Sequence, residues 1–160
     1  MYRQIIYIFL VLSFIVGCVT TPRQPLYRPL NDGIGYSEVQ LGRNTLRVTF
    51  KGNSNTSKET IETYLLCRCA EKTLEHRYYW FVITDSNTHT KQGIKNVPTT
   101  TPMYFWFEGK WKYVRTEKAI SYQEYVATAL IKMFNGKKPK SPNTYDASEV
   151  IKYLSPHVKK

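Results

Sequence analysis

Apolar and polar side chains alternate between residues 36 and 50, and a Gly-Arg-Asn turn at residues 42 to 44 interrupts the alternation. A period of two places the apolar side chains of a strand on one face. The stretch therefore predicts a β-hairpin with one buried face. The apolar positions that we expect to share a face are Val39 with Leu41 in the first strand, and Leu46, Val48 and Phe50 in the second.

A helix is predicted from about residue 56 to about residue 76. It begins with Thr56-Ser57-Lys58-Glu59, whose hydroxyl and carboxyl groups three residues apart are typical of a capping box. Downstream, residues 78 to 84 predict an apolar strand, residues 85 to 101 a polar loop, and residues 103 to 114 a second hairpin. The apolar residues that recur at helical spacing within the helix are Leu65, Leu66, Cys69, Ala70 and Thr73.

Residues 121 to 136 fit two patterns. Ser121 and Glu124 resemble a capping box, and apolar residues at helical spacing follow, so the local pattern favours a helix. Val126, Thr128 and Phe134, however, are β-branched or aromatic residues at an even spacing, which suits a strand. The local sequence leaves both structures open.

A last helix is predicted near the carboxyl end. Asp146 is expected to cap it, and Glu149 lies three residues further on, in the first turn. Pro156 is expected to end it, because proline cannot continue a helix. The apolar stripe of this helix consists of Val150, Ile151 and Leu154.

The amino-terminal end has an apolar run from residue 5 to residue 16, preceded by Arg3 as its only charged side chain. This run is shorter than the roughly 20 residues that cross a bilayer, and it matches the core of a signal peptide. It ends in Val16-Gly17-Cys18, which resembles the lipobox of bacterial lipoproteins. The resemblance implies that cleavage follows Gly17, that Cys18 is lipidated and that the protein is anchored outside the cytoplasm. Because Val19 is not aspartate, analogy with enteric lipoproteins implies the outer membrane, with the domain facing the periplasm.

Three prolines, Pro22, Pro25 and Pro29, lie between the cysteine and the first predicted strand. Prolines disfavour regular structure, and an extended proline-rich chain rises about 3.1 Å per residue. We therefore divide the chain into a signal peptide at residues 1–17, a lipidated cysteine and proline-rich tether at residues 18–32, and a single domain at residues 33–158.

The chain is strongly basic, with 23 Lys and Arg residues, 12 Asp and Glu residues and a formal net charge of +11. In the cytoplasm such a surplus would favour nucleic-acid binding. Outside it, the available polyanions are lipid head groups, lipopolysaccharide and wall polymers, so we expect no nucleic-acid partner. A solvated surface accounts for most of this charge. The densest cluster, Lys137, Lys138 and Lys140, is a candidate contact for an anionic envelope polymer.

The sequence has no pattern typical of a catalytic or metal site. Its three histidines are isolated, and neither a nucleophile elbow nor a phosphate loop occurs. Cys67 and Cys69 lack a redox spacing, so we expect buried small apolar side chains, with an intermolecular disulfide as the alternative. We therefore expect no metal, no cofactor and no enzymatic activity. A periplasmic hydrolase with its site in residues 85 to 101 is an alternative.

Four short motifs occur along the chain: Gly35-Tyr36-Ser37-Glu38, Phe50-Lys51-Gly52-Asn53, Arg68-Cys69-Ala70-Glu71 and Gly136-Lys137-Lys138-Pro139. They resemble the motifs of a small family of uncharacterised proteobacterial lipoproteins. The resemblance covers about residues 1 to 83 and 126 to 158, and it implies a strand over residues 126 to 134, which we adopt against the local pattern. In the family the first helix usually ends in glycine, whereas this chain has Arg77, so a different helix end is expected.

Two polar groups within these motifs invite a functional interpretation. Glu38, Arg68 and Glu71 would meet if the first helix packs on the first hairpin, and a guanidinium between carboxylates forms strong hydrogen bonds. We interpret the three as a structural ion-pair cluster. Gly52 and Asn53 are expected to form a turn that needs a left-handed residue.

Together these observations predict a two-layer α+β domain, with an antiparallel sheet of about five strands and two helices packed on one face. The predicted function is that of a membrane-anchored cell-envelope lipoprotein, acting in structure or as a protein-interaction module. Its expected partners are the lipid bilayer, through acylated Cys18, and an envelope protein. A binding module for an anionic envelope polymer is the alternative.

Overall fold

The computed structural model describes residues 27–99, 103–114 and 116–159 of the 160-residue chain. Gly17, Cys18 and the first part of the predicted tether lie outside these residues. The described part contains strands β1 (Gly35–Gly42), β2 (Thr45–Lys51), β3 (Trp80–Pro98), β4 (Met103–Phe107), β5 (Lys110–Val114), β6 (Glu117–Phe134) and β7 (Thr144–Asp146), with helices α1 (Lys58–Glu75) and α2 (Ala147–Leu154).

Five of these strands form one antiparallel sheet, in the order β1-β2-β6-β3-β7, and β4 and β5 form a separate hairpin. The α+β class, the antiparallel sheet of five strands and the two helices were predicted from the sequence and are confirmed. The second predicted hairpin is confirmed as β4–β5. The end of α2 is followed by a short 3-10 helix, Ser155–His157, with Pro156 inside it.

The core lies between the sheet and α1. In β2 the even-numbered residues Leu46, Val48 and Phe50 are almost fully buried, and Phe50 pairs across the strands with Ala127 of β6. On α1, Ile61 and Tyr64 are equally buried, and the Tyr64 ring contacts that of Phe50 at 5.2 Å. Each large apolar side chain that is fully buried stabilises the fold by about 1.5–3 kcal/mol.

The face of β1 differs from the prediction. Val39 and Leu41 are 52% and 48% exposed, so they do not contribute to the buried face. The register pairs Glu38 with Val48 and Val39 with Arg47, which places Glu38 on the side of the sheet that faces α1. The predicted burial of Val39 and Leu41 is therefore wrong, because the helix-facing side of this edge strand is occupied by Tyr36 and Glu38.

The start of α1 is one residue later than predicted. Ser57, not Thr56, is the N-cap residue, and its side chain accepts a hydrogen bond from the Thr60 amide at 3.1 Å. Thr56 instead belongs to the preceding turn, where its hydroxyl donates to Asn53 Oδ1 at 2.7 Å. The Asn55 amide donates to the same oxygen, which gives an Asx turn. The amide side chain of Asn53 is thus used within the fold.

Gly52 is required by close packing and not by a left-handed backbone. A Cβ atom at this position would lie 2.4 Å from Ile61 Cδ1 and 3.0 Å from Thr56 Cβ. Its φ is not positive, so the predicted left-handed turn residue is wrong at this position. The missing side chain lets the end of β2 approach the first turns of α1.

The end of α1 keeps the left-handed conformation although it has no glycine. Arg77 has a φ of 62°. The Tyr78 amide donates to the Thr73 carbonyl and the Arg77 amide to the Leu74 carbonyl, both at 2.9 Å, which is the hydrogen-bond pattern of a Schellman motif. The expectation of a different helix end is therefore wrong. A non-glycine residue in this conformation costs roughly 1–2 kcal/mol.

Two segments whose structure was uncertain or misjudged from the sequence are long strands. Residues 121 to 134 belong to β6, as the resemblance implied and against the helical pattern. Residues 85 to 98 belong to β3, so the predicted polar loop is wrong. In both strands the backbone groups are paired across the β3–β6 ladder, which runs from Trp80–Phe134 to Pro98–Glu117.

Residues 27 to 31, which the sequence placed in the tether, pack on the domain. Tyr27 is only 7% exposed, and its amide donates to the Lys159 carbonyl at 2.7 Å. Pro29 forms a parallel β-bridge with Tyr36. Tyr27, the first described residue, therefore already belongs to the packed domain, and it follows Cys18 by nine positions in the sequence.

β3 and β6 continue beyond the rest of the sheet. β2 pairs with β6 only as far as Val126, whereas β3 pairs with β6 as far as Glu117. We call the projecting part, residues 91–98 paired with residues 117–124, the ribbon. Thr99 and Thr116 still bond to each other beyond it, and the β4–β5 hairpin is inserted between them in the chain. The hairpin thus belongs to the far end of the ribbon.

Candidate functional site

The structure brings Glu38, Arg68 and Glu71 into contact. Arg68 Nε donates to Glu38 Oε1 at 2.5 Å, and Arg68 Nη1 donates to Glu71 Oε2 at 2.8 Å. The guanidinium side chain is only 13% exposed. β1 supplies the first carboxylate and successive turns of α1 supply the other two groups, so the cluster ties the helix to the edge of the sheet.

Two tyrosines complete this cluster. The Arg68 guanidinium lies 4.1 Å from the centre of the Tyr36 ring, and the Tyr27 hydroxyl donates to Glu71 Oε2 at 2.6 Å. Burial and the hydrogen bond to Glu71 raise the pKa of Tyr27 well above its ordinary value. Burial alone would lower the pKa of Arg68, but its hydrogen bonds to Glu71 and Glu38 outweigh burial and raise that pKa. Arg68 is therefore a fixed positive charge engaged with carboxylates of its own chain.

A small apolar cavity of about 190 Å³ lies between α1 and β3. Thr88 donates to Glu62 at 3.0 Å on its rim. Cys69 is one of the residues that line the cavity. Burial strongly raises the pKa of its thiol, so this thiol is protonated at neutral pH and is a poor nucleophile. Cys67 and Cys69 are both buried, which confirms that they are core residues. The main apolar residues around the cavity are Leu65, Leu66, Ile83, Ala129 and Tyr145.

The residues expected to contact an anionic polymer lie in the loop between β6 and β7. Lys137, Lys138 and Lys140 are all exposed, and Lys138 Nζ lies 5.5 Å from the Trp80 ring. This loop follows Phe134 and therefore lies at the end of the sheet opposite the ribbon. Lys138 beside Trp80 is the only one of the three lysines for which a ring contact is described.

The most unusual surface is the β4–β5 hairpin. We call its six aromatic residues the aromatic tip, and each exposes between 43% and 69% of its surface. Such a concentration of exposed apolar side chains marks a contact surface, because scattered single residues are normal but contiguous patches are not. The six residues are Tyr104, Phe105, Trp106, Phe107, Trp111 and Tyr113.

The register divides the aromatic tip between two faces. Tyr104 pairs with Tyr113 and Trp106 with Trp111, so these four rings share one face. The Trp106 and Trp111 rings are 5.5 Å apart at an interplanar angle of 71°. Phe105 and Phe107 lie on the other face, opposite Lys112 and Lys110. Lys112 Nζ lies 4.3 Å from the Phe107 ring, which is a cation–π distance.

The hairpin was predicted from the sequence, but the exposure of its aromatic side chains was not. The sequence does indicate this exposure, because five of the residues from 104 to 111 are aromatic. Apolar residues at consecutive positions on a two-stranded hairpin must occupy both of its faces. Because a hairpin has one core-facing side at most, at least one aromatic face had to be exposed.

The described residues also bear on metal binding and on membrane-spanning helices. Within residues 27–99, 103–114 and 116–159, no group of three His, Cys, Asp or Glu side chains is placed to bind a metal ion. His89 lies on β3 opposite Val126 of β6. No helix in this described part of the chain is long and apolar enough to span a bilayer.

Comparisons with known proteins gave no relative. No protein-family model matches the chain, and neither a curated protein nor a solved structure was found to be similar to it.

Proposed function

We propose that this chain is a lipid-anchored cell-envelope protein that acts as a non-enzymatic interaction module through its aromatic tip. The observation that carries the proposal is the exposure of six aromatic side chains on a hairpin that the ribbon carries away from the domain. Tyrosine and tryptophan are enriched where proteins bind, because they bury a large area at a low cost in side-chain entropy.

The anchor in this proposal is Cys18. Its support is the order of residues in the sequence, a basic start, a short apolar run and Val16-Gly17-Cys18, together with the resemblance to lipoproteins. The outer membrane is the membrane we propose, with the domain facing the periplasm. The proposed membership of the small proteobacterial lipoprotein family rests on the motifs at residues 35–38, 50–53, 68–71 and 136–139.

Binding rather than catalysis is proposed because the charged cluster on α1 and the buried thiol are already engaged within the fold. Arg68 is held between Glu38 and Glu71, and the Cys69 thiol is protonated in the core. We also infer that both helices cover one face of the sheet. The apolar stripe of α2 packs against the same core cluster that contains the buried residues of α1.

Metabolic labelling with palmitate tests the anchor. The wild-type chain is expected to incorporate label, and Cys18→Ser is expected to incorporate none and to retain residues 1–17. Cys67→Ser is the matched control, because it also removes one thiol but should leave labelling unchanged. Equal labelling of the wild type and Cys18→Ser would refute the proposed anchor.

A second candidate function is supported by the loop at the other end of the sheet. Three exposed lysines, Lys137, Lys138 and Lys140, could bind an anionic envelope polymer there, with Trp80 beside Lys138. Retention on immobilised lipopolysaccharide should then fall steeply with salt, since exposed charges are screened over about 8 to 10 Å. Replacing the three lysines by glutamine should abolish that retention, whereas Lys91→Gln/Lys95→Gln/Lys118→Gln should not. Salt-independent retention would refute this candidate.

A further inference from the structure

The aromatic tip is apolar on both faces. Tyr104, Trp106, Trp111 and Tyr113 cover one face, and Phe105 and Phe107 lie on the other. A flat partner surface would bury only one face and leave the other in water. The two tryptophan rings are also steeply inclined to each other, so they form no flat platform on which sugar rings could stack. A medium that surrounds the inserted hairpin would cover both aromatic faces at once, and it therefore fits the two-faced tip better than a flat partner does.

The residue types of the tip suit the interface of a lipid bilayer. Tryptophan and tyrosine are enriched at the level of the head groups, where one end of the ring is apolar and the other is wet. Lys110 and Lys112 share the phenylalanine face, and long lysine side chains reach from an apolar region towards phosphate groups. The charged turn residue Glu108 and the open strand edges exclude the hydrocarbon core, because unpaired backbone groups there are costly.

The ribbon and the start of the folded chain lie at the same end of the sheet. The Tyr27 ring contacts Tyr36 at 5.0 Å, and Tyr36 pairs with Phe50. Phe50 pairs in turn with Ala127, two residues from Tyr125, where the ribbon begins to leave the sheet. Both the segment that leads back to Cys18 and the ribbon therefore start from one side of the domain.

The two segments also have similar reach. From Cys18 to Tyr27 there are nine residue steps. An extended chain covers at most about 3.3–3.6 Å per step, so this segment reaches about 30 Å. The eight residue pairs of the ribbon span about 26 Å at roughly 3.3 Å per residue. The five residue pairs of β4–β5 add up to about 17 Å beyond the ribbon, so the tip reaches a bilayer that holds Cys18 when the ribbon is inclined to that bilayer.

We infer that the aromatic tip inserts into the head-group region of the same bilayer that holds the acylated Cys18, and so fixes the domain at a second point. This inference rests on the proposed function. The charge of the ribbon and tip agrees with anionic head groups, because their five described lysines outnumber their three glutamates. These are Lys91, Lys95, Lys110, Lys112 and Lys118, with Glu108, Glu117 and Glu124.

Quenching of tryptophan fluorescence by brominated lipids tests the inference. The chain has three tryptophans, so Trp80→Phe leaves only Trp106 and Trp111 as reporters of the tip. The full-length variant is reconstituted into vesicles of phosphatidylethanolamine and phosphatidylglycerol whose acyl chains carry bromine near the head group. We expect its fluorescence to be quenched and shifted to shorter wavelength, with weaker quenching when the bromine lies near the chain ends.

The matched control is Trp106→Phe/Trp111→Phe, which keeps only Trp80 at the opposite end of the sheet and should not be quenched by bromine. Lys110→Gln/Lys112→Gln in the Trp80→Phe background should reduce the quenching of the tip. A tip that bromine does not quench while aqueous iodide does would overturn the inference. Protection from iodide without bromine quenching, growing with protein concentration, would indicate a second copy and would also overturn it.

The mass of the Cys18 peptide is measured on the same samples. A lipidated chain with an unquenched tip would refute the bilayer contact and leave the anchor intact. An unmodified chain would refute the anchor. Its apolar residues 5–16 would still attach it to the vesicles. Quenching by bromine would therefore test the contact of the tip with the bilayer independently of the anchor.

Discussion

At the scale of single residues, several positions perform a task that their residue type does not suggest. Arg77 occupies a left-handed position that usually requires glycine, and Asn53 uses its side chain within a turn. Arg68 is buried between carboxylates and a tyrosine ring. These polar residues thus serve the fold, and the exposed aromatic residues lie elsewhere.

Replacing Arg77 by glycine should stabilise the domain. Glycine adopts a positive φ without steric cost, and the expected gain in the free energy of unfolding is about 1 kcal/mol, reduced from the full strain by the entropy of glycine in the unfolded chain. Arg43→Gly, at an exposed turn residue whose φ is not positive, is the control and should destabilise slightly. Urea unfolding measures both. A loss of stability in Arg77→Gly would contradict the assigned helix end.

Tyr27 should make the domain sensitive to alkaline pH. Its pKa is raised in the folded state, first by burial and then by Glu71, from an unfolded value of 10.0. The unfolded chain therefore releases this proton first as the pH rises, and stability is full below pH 10 and falls above it, by up to about 1.4 kcal/mol per pH unit.

Tyr27→Phe has no such proton and should lose less stability between pH 9 and pH 11 than the wild type. Tyr153 is 65% exposed, so Tyr153→Phe removes a hydroxyl from an exposed side chain and should behave like the wild type. Urea titrations at the two pH values provide the comparison. Parallel losses in the wild type and Tyr27→Phe would show that the buried hydroxyl does not cause the slope.

At the scale of elements, the sequence predicts correctly those strands that bury one face and those helices that begin with a capping residue. The β2 alternation, the Asp146 cap and the turn of the second hairpin followed from local rules, and Asp146 does accept from the Ser148 and Glu149 amides. The ribbon could not be predicted in this way. Neither of its faces is buried, so its sequence has the composition of a loop, and only pairing between β3 and β6 makes it a strand.

The two faces of β6 explain why its sequence looked helical. Ala127, Ala129, Ile131 and Met133 are buried at every second position, but Val126 on the other face is also buried. Buried residues on both faces destroy the simple alternation that identifies a strand. The exposure of the aromatic tip could not be predicted from the local sequence either, because it depends on tertiary structure.

Packing between β2 and α1 gives a prediction at this scale. Gly52→Ala places a methyl group against Ile61 and should cost about 1–3 kcal/mol, as overpacking does. Gly42→Ala is the control, since its added Cβ would lie 3.7 Å from the Thr45 side chain, an ordinary contact. Ile61→Val removes the clashing Cδ1 atom and should recover part of the loss in Gly52→Ala. Equal thermal stability of the two alanine variants would rule out the close approach.

At the scale of the whole molecule, the two proposed binding surfaces lie at opposite ends of the sheet. The aromatic tip and the chain that leads back to Cys18 share one end, and Lys137, Lys138 and Lys140 occupy the other. A domain attached to a membrane at two points would therefore present its basic loop away from that membrane. This orientation makes binding of an envelope protein or polymer compatible with the anchor.

This orientation predicts different accessibility at the two ends of the domain. In membranes that carry the full-length protein, a cysteine introduced at Lys138 should react rapidly with a maleimide too polar to enter the bilayer, whereas one introduced at Trp106 should react slowly. After detergent solubilisation both positions should react at similar rates. Equal rates before solubilisation would show that the tip is not shielded by the membrane.

The account depends most on the state of Cys18, and mass spectrometry of the amino-terminal peptide from membrane-purified protein tests it most directly. The account predicts a mature chain that begins at Cys18, carries a diacylglyceryl group on the thiol and lacks residues 1–17. A chain that retains residues 1–17 with an unmodified Cys18 would contradict it.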